Sequence, residues 1–147
     1  CGDLALFAGI SCGAEIVVTQ QTGYDEAEVL ERLRYLDSIK NKKHSIVIIS
    51  EKITDVDLLA KKISKVTPFS GRSTVLGHIQ RGGSPSAFDR VLATRMGHKA
   101  VALLKEGISG HCVGILHNEI VSTPIQEALE ITNTSRGELY EMHRELV

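Results

Sequence analysis

Apolar positions along this chain come either in short dense runs or at every third to fourth place, and the two patterns alternate. Glu15 to Gln20, centred on Ile16, Val17 and Val18, reads as a buried strand. Ser45 to Ser50 is apolar throughout its middle, the pattern of a strand covered on both faces of a parallel sheet. Between them Tyr24-Asp25 opens a helix with Val29, Leu30, Leu33 and Leu36 on one side. Glu28, Glu31, Arg32 and Arg34 form its solvated side, and it runs out near Ser38. Upstream, Asp3 is placed to cap a helix carrying Leu4, Leu6, Phe7 and Ile10, with Gly13 as its stop. The small residues Ala5, Ala8, Gly9 and Ser11 of that helix suit close packing on a sheet.

Downstream, Thr54 to Asp57 has capping-box spacing and opens a helix through Leu58, Leu59 and Ile63. Thr67 to Gly71 is a loop, and Ser73 to Leu76 reads as a short buried strand. The longest helix runs from Ser86 to Glu106, with Phe88, Val91, Leu92, Met96, Ala100, Leu103 and Leu104 on its apolar side and Gly107 at its end. His111 to Leu116 predicts another strand, Thr123-Pro124 a short helix, Asn133 to Ser135 a polar break, and Arg136 to Val147 a final helix. Strands alternating with helices predict an α/β fold with a largely parallel sheet and helices on both faces.

Composition narrows the function classes. In 147 residues, 42% hydrophobic and 24% charged is ordinary for a globular chain with a real core. A net charge of -1 argues against a nucleic-acid or membrane-surface binder. Cys1, Cys12 and Cys112 make an odd, widely spaced set, which suits free thiols in a reducing cytoplasm. Leu4 to Val18 is broken by Gly9, Gly13 and Glu15, so it predicts neither a signal peptide nor a membrane span.

The chemistry concentrates between Arg72 and Arg90. Gly77 ends the short strand, His78, Gln80 and Arg81 follow on a loop, and Gly82-Gly83 leads to Ser84-Pro85-Ser86 at a helix start. Such an arrangement presents backbone N–H groups to an anion. Arg81 adds a bidentate donor suited to phosphate, and His78 a second polar contact. Glu51 directly follows a strand, where ligands collect in open α/β sheets, and reads equally as a cap or a functional acid. Lys40, Lys42, Lys43 and His44 crowd one turn; on composition alone they are solvated cations at a helix C-terminus.

The run R-x-T-V-L-G-H-x-Q-R-G-G-x-P from Arg72 to Pro85, with Asp89-Arg90 and Leu92-Ala93 after it, resembles the signature of bacterial-type 6-phosphofructokinases. Cys1-Gly-Asp-Leu-Ala is similar to the segment that follows that family's Met-Gly-Arg motif. The resemblance spans essentially the whole chain. It implies phosphoryl transfer from ATP, with Mg2+, to the 1-hydroxyl of fructose 6-phosphate. Arg81 and His78 would hold the 6-phosphate, Glu51 the sugar, and Arg72 would reach into a neighbouring subunit's site. It further implies that Lys40, Lys42, Lys43, His44 and Glu15 line an effector site for ADP or phosphoenolpyruvate. Since the carboxylate of Glu15 would repel a phosphate directly, its expected role there is to hold a magnesium ion riding on the effector diphosphate. A homotetramer in the cytoplasm is implied as well.

The same resemblance places the glycine-rich nucleotide loop and the aspartate base in a preceding N-terminal half, so this chain is expected to be a C-terminal portion. Residues 1–81 would belong to the substrate and effector domain, 82–133 would pack with the nucleotide-binding domain, and 134–147 would form a tail. Thr19-Gln20-Gln21 departs from the family's Pro-Glu pair. A non-catalytic sugar-phosphate-binding regulatory module, or an α/β domain with a structural role, stays open as an alternative.

Overall fold

The computed structural model describes residues 2–40, 42–131 and 136–147, with the side chains of Ile39 and Lys40 set aside. Cys1 and the expected break at 133–135 lie outside the described residues. Two compact units emerge, Cys1–Val75 with Ser135–Val147, and Leu76–Thr134.

In the first unit α1 (Asp3–Cys12) leads to β1 (Ile16–Val18), α2 (Glu26–Lys40), β2 (Val47–Ile49) and α3 (Val56–Val66). β1 and β2 pair in parallel, Ile16 with Val47 through Val18 with Ile49. Alternation along β1 decides which helix lies where. Ile16 and Val18 join Val29, Leu33 and Leu36 of α2 and Leu59 and Ile63 of α3 in the core. Val17 points the other way, toward α1: a Cβ on Gly9 would fall 2.2 Å from Val17 Cγ2. Helices therefore cover both faces of the parallel pair, as the pattern predicts.

The caps refine the sequence reading. Gly2 precedes α1, so Asp3 is its first residue and not its cap, while Gly13 (φ 66°) ends it as expected. Asp25 accepts from the N–H of Ala27 at 2.8 Å and starts α2, which runs two residues beyond Ser38. α3 is capped by Asp55, whose carboxylate accepts from Leu58 N–H at 2.9 Å; Thr54 lies one residue outside. β2 is half-buried throughout, and among the described residues the sheet it forms with β1 has two strands.

The expected buried strand at Ser73–Leu76 does not form. Those residues pair with no strand, Val75 and Leu76 are exposed, and Leu76 already has helical backbone angles ahead of the next turn. Apolar β-prone residues make a strand only where a neighbouring strand takes their backbone groups.

In the second unit a short 3-10 helix, Gly77–Arg81, precedes α4 (Ala87–Lys105), β3 (His111–Leu116), β4 (Glu119–Pro124) and α5 (Ile125–Glu130). Ser86 and Asp89 form a reciprocal capping box at the start of α4. The hydroxyl and backbone N–H of Ser86 hold the Asp89 carboxyl below its ordinary value. α4 ends in a Schellman pair, Gly107 N–H to Leu104 C=O and Ile108 N–H to Leu103 C=O, with Gly107 at φ 76°. β4 goes unpredicted by periodicity. It pairs antiparallel with β3 through a two-residue turn in which His117 and Asn118 both have positive φ, the type I′ requirement.

The apolar side of α4 also differs from expectation. Leu103 is buried and Leu92 and Met96 are half-buried against their own unit, whereas Phe88, Val91, Val101 and Leu104 are exposed. Finally α6 (Gly137–Leu146) returns to the first unit and packs beside α1.

Candidate functional site

Around the lysine turn, Glu15 is the organising residue. It is buried just before β1, and its two carboxylate oxygens take different partners: Lys42 Nζ at 2.5 Å and Ile46 N–H at 2.7 Å. Burial pushes its pKa up, but Lys42 and the Ile46 N–H together outweigh that and hold it below the usual value. The pair thereby fastens the lysine turn to the entrance of β1.

Both oxygens of Glu15 are engaged by donors, so a cation carried on an effector diphosphate would have to displace Lys42 from the carboxylate. Among the described residues no group of three or more His, Cys, Asp or Glu side chains is placed to hold a metal by itself.

Lys43 and His44 diverge from Lys42. They line a cavity of about 480 Å³ together with Arg72, over a floor that includes Leu33, Val47, Leu59 and Ile63. Residues assigned by sequence to an effector site and to a substrate site thus share one cavity wall, while Glu15 and Lys42 pair apart from it. Lys40 is the last residue of α2, and its side chain lies outside the description.

Arg72 owes its position to Gly71. A Cβ there would sit 2.4 Å from the Ala60 carbonyl oxygen, so only glycine lets the extended segment run against α3. The Gly71 N–H donates to Ser64 Oγ at 2.8 Å, and the Ser73 hydroxyl donates to Asp57, fixing the backbone on both sides of Arg72. Glu51 stands exposed at the carboxyl end of β2, as read from the sequence. Lys52 beside it has φ 66°, an uncommon backbone for a non-glycine residue that turns the chain away from the strand end.

In the second unit His78 and Arg81 lie on the 3-10 helix and not on an open loop; both are exposed. Gly82 follows at φ 83°, in a conformation L side chains avoid. Two of the N–H groups that the sequence offers to an anion are engaged internally: Ser86 N–H donates to Asp89 at 2.8 Å, and Asp89 N–H to Ser86 Oγ at 3.2 Å. The start of α4 therefore has fewer free N–H groups than the sequence suggests, while the Arg81 and His78 side chains are exposed.

A family model described as Phosphofructokinase matches residues 1–104. The chain belongs to the phosphofructokinase family. Among curated relatives, the ATP-dependent 6-phosphofructokinase of Teredinibacter turnerae is 53% identical over 137 residues, covering 92% of this chain and 42% of the relative. That of Clostridium acetobutylicum is 46% identical over 142 residues, 97% of this chain and 44% of the relative. The chain thus spans less than half the length of the phosphofructokinases it matches. The crystal structure of Pichia pastoris phosphofructokinase in the T-state gives a TM-score of 0.73 at 25% identity, covering 98% of this chain and 18% of that one. The α/β architecture is accordingly the phosphofructokinase fold.

Sequence reasoning missed several contributors to these sites. Gly71 carries no signal beyond its neighbour Arg72. The polar contacts of α6, Tyr140 with Thr19 and His143 with Ala14, are invisible to a search for apolar periodicity. No helix among the described residues is long and apolar enough to cross a membrane.

Proposed function

We propose that this chain is the substrate- and effector-binding part of an ATP-dependent 6-phosphofructokinase, which phosphorylates fructose 6-phosphate at its 1-hydroxyl. The observation that carries the reading is 46–53% identity to enzymes of that name over more than nine-tenths of the chain. Arg81 grips the 6-phosphate with its planar fork and His78 adds a further hydrogen bond. Glu51, at a strand end, accepts from sugar hydroxyls. Arg72, flanked by backbone and side-chain hydrogen bonds at Gly71 and Ser73, is offered to a neighbouring copy in a cytoplasmic homotetramer. Lys42, Lys43 and His44 supply cationic charge for ADP or phosphoenolpyruvate, with Lys40 beside them.

ATP, its magnesium ion and the catalytic base belong to the length of the relatives that this chain does not span. Phosphoryl transfer rests on positioning and charge neutralisation, so a part that binds substrate without a nucleotide cradle catalyses nothing by itself. The exposed Phe88, Val91, Leu104 and Leu129 support an apolar face in 82–133 that packs against that nucleotide-binding part.

The test is a coupled assay of fructose 1,6-bisphosphate formation in the full-length protein. Arg81→Ala removes a contact present in ground and transition states alike, so it raises KM for fructose 6-phosphate by about ten- to a hundredfold. No ATP-dependent phosphorylation by the parent, or an unchanged KM in the variant, overturns the proposal.

A further inference from the structure

The last helix reaches the first unit through one polar stripe. Arg136, Tyr140, His143 and Val147 recur at helical spacing and each meets a group outside α6. Arg136 pairs with Asp3. Tyr140 Oη lies 2.7 Å from Thr19 Oγ1, and His143 Nε2 lies 2.7 Å from the Ala14 carbonyl oxygen. Arg32 of α2 donates to the Val147 carbonyl oxygen at 2.5 Å. Apolar burial is modest: His143 is the one fully buried residue of α6, Leu139 and Tyr140 are half-buried, and Met142 and Leu146 are exposed.

Two of these contacts bracket β1. Thr19 follows the strand and is wholly buried; Ala14 precedes it and stands next to Glu15. Since a carbonyl only accepts, the His143 ring donates from Nε2 and is the partner that fixes the Ala14 peptide. That peptide carries the Glu15 backbone, and so the carboxylate that holds Lys42. Beneath α6 lies a cavity of about 480 Å³, lined by both Glu15 and His143, which leaves this end of β1 room to shift if the helix lets go.

We propose that His143 is a positioning residue for the Glu15–Lys42 ion pair, and that α6 is a detachable strap whose docking and the lysine turn are coupled. Elements held by few buried apolar contacts open at low free energy, and a hydrogen bond at such a place shifts the opening equilibrium. Coupling of this kind is reciprocal: what loosens the turn loosens the strap by the same factor. The proposal deepens the effector reading only in making the strap a second input to the lysine turn; its main test needs no effector.

The experiment is hydrogen–deuterium exchange on full-length protein, following the segments 42–50 and 137–147. His143→Leu removes the donor in an apolar shape of similar size; His143→Gln keeps an N–H donor. Leu speeds exchange of 42–50 by about three- to tenfold, the range expected for one lost hydrogen bond, and Gln restores most of the protection. Lys42→Ala speeds 137–147 by a similar factor, and the double variant adds less than the sum of the singles. Exchange at 42–50 that stays at the parent rate in His143→Leu, equal behaviour of Leu and Gln, or strict additivity overturns the proposal. Should His143→Leu fail to fold, Tyr140→Phe in the same cycle with Lys42→Ala decides it. A parallel titration with ADP separates the two readings. If ADP has no effect on the parent, the effector assignment falls while the exchange data still judge the strap.

Discussion

Replacing Lys42 by alanine strands a buried carboxylate, and the consequence depends on pH in a defined direction. The Glu15 side chain is 6% exposed and that of Lys42 36%. Removing one partner of a fully buried pair costs roughly 3–5 kcal/mol, and of a surface pair about 0–1. With the carboxylate deep, the ammonium at the rim and the Ile46 N–H still in place, Lys42→Ala should cost about 1–3 kcal/mol near neutral pH. In the parent the folded pKa of Glu15 is depressed, so its contribution is fully present above the unfolded value and is lost as pH falls through the folded one. Without Lys42 the carboxyl loses the hydrogen bond and the charge that lower its pKa most, so its folded pKa rises relative to the parent. The variant's carboxyl then takes up its proton at higher pH and sheds the desolvated charge. Urea midpoints of full-length protein should therefore show the largest deficit near pH 8. That deficit should narrow as pH falls toward about 4–5, the ordinary carboxyl range. A deficit constant across that window, or none at pH 8, refutes the account of Glu15.

Three further outcomes are expected. Ser86→Ala opens the capping box and should cost about 0.5–2 kcal/mol, read as faster hydrogen exchange in the first turn of α4 with little change near β1. Gly9→Ala drives a methyl into Val17; the clash outweighs the better helix propensity, and a net loss of about 1–2 kcal/mol in a urea titration checks it. Gly71→Ala forces the segment off Ala60 and displaces Arg72, so it should impair substrate saturation much as Arg72→Ala does while Lys42-dependent effects persist.

The elements legible in the sequence are those whose partners lie nearby in the chain. The α2 stripe of Val29, Leu33 and Leu36 declares itself because one helix face meets one core, and all three are buried. The small residues of α1 predict close packing on a sheet, and Gly9 against Val17 supplies it. Ser73–Leu76 misleads because propensity reports only a residue's fitness for a strand, not the presence of a strand to pair with. The β3–β4 hairpin hides because His117-Asn118 lacks the glycine that usually marks a type I′ turn. At the sites, motif spacing singles out Arg81, His78 and Glu51 but cannot tell which cations share a surface. Lys42 pairs with Glu15, while Lys43 and His44 line a cavity together with Arg72.

The return of α6 to the first unit bears on the order in which the protein is made. Thr19 and Tyr140 are 121 residues apart, and Ala14 and His143 are 129 apart. On a ribosome, α1 and β1 emerge long before the helix that bridges them, and all of Leu76–Thr134 is synthesised in between. Until then Thr19, the Ala14 carbonyl and the Arg32 guanidinium stand without those partners, and contacts of such separation close late in folding. A ribosome pause before residue 136 would hold, and a proteolytic cut there would release, a chain whose first unit still lacks its strap, giving quality-control proteases a window that stays open until α6 docks.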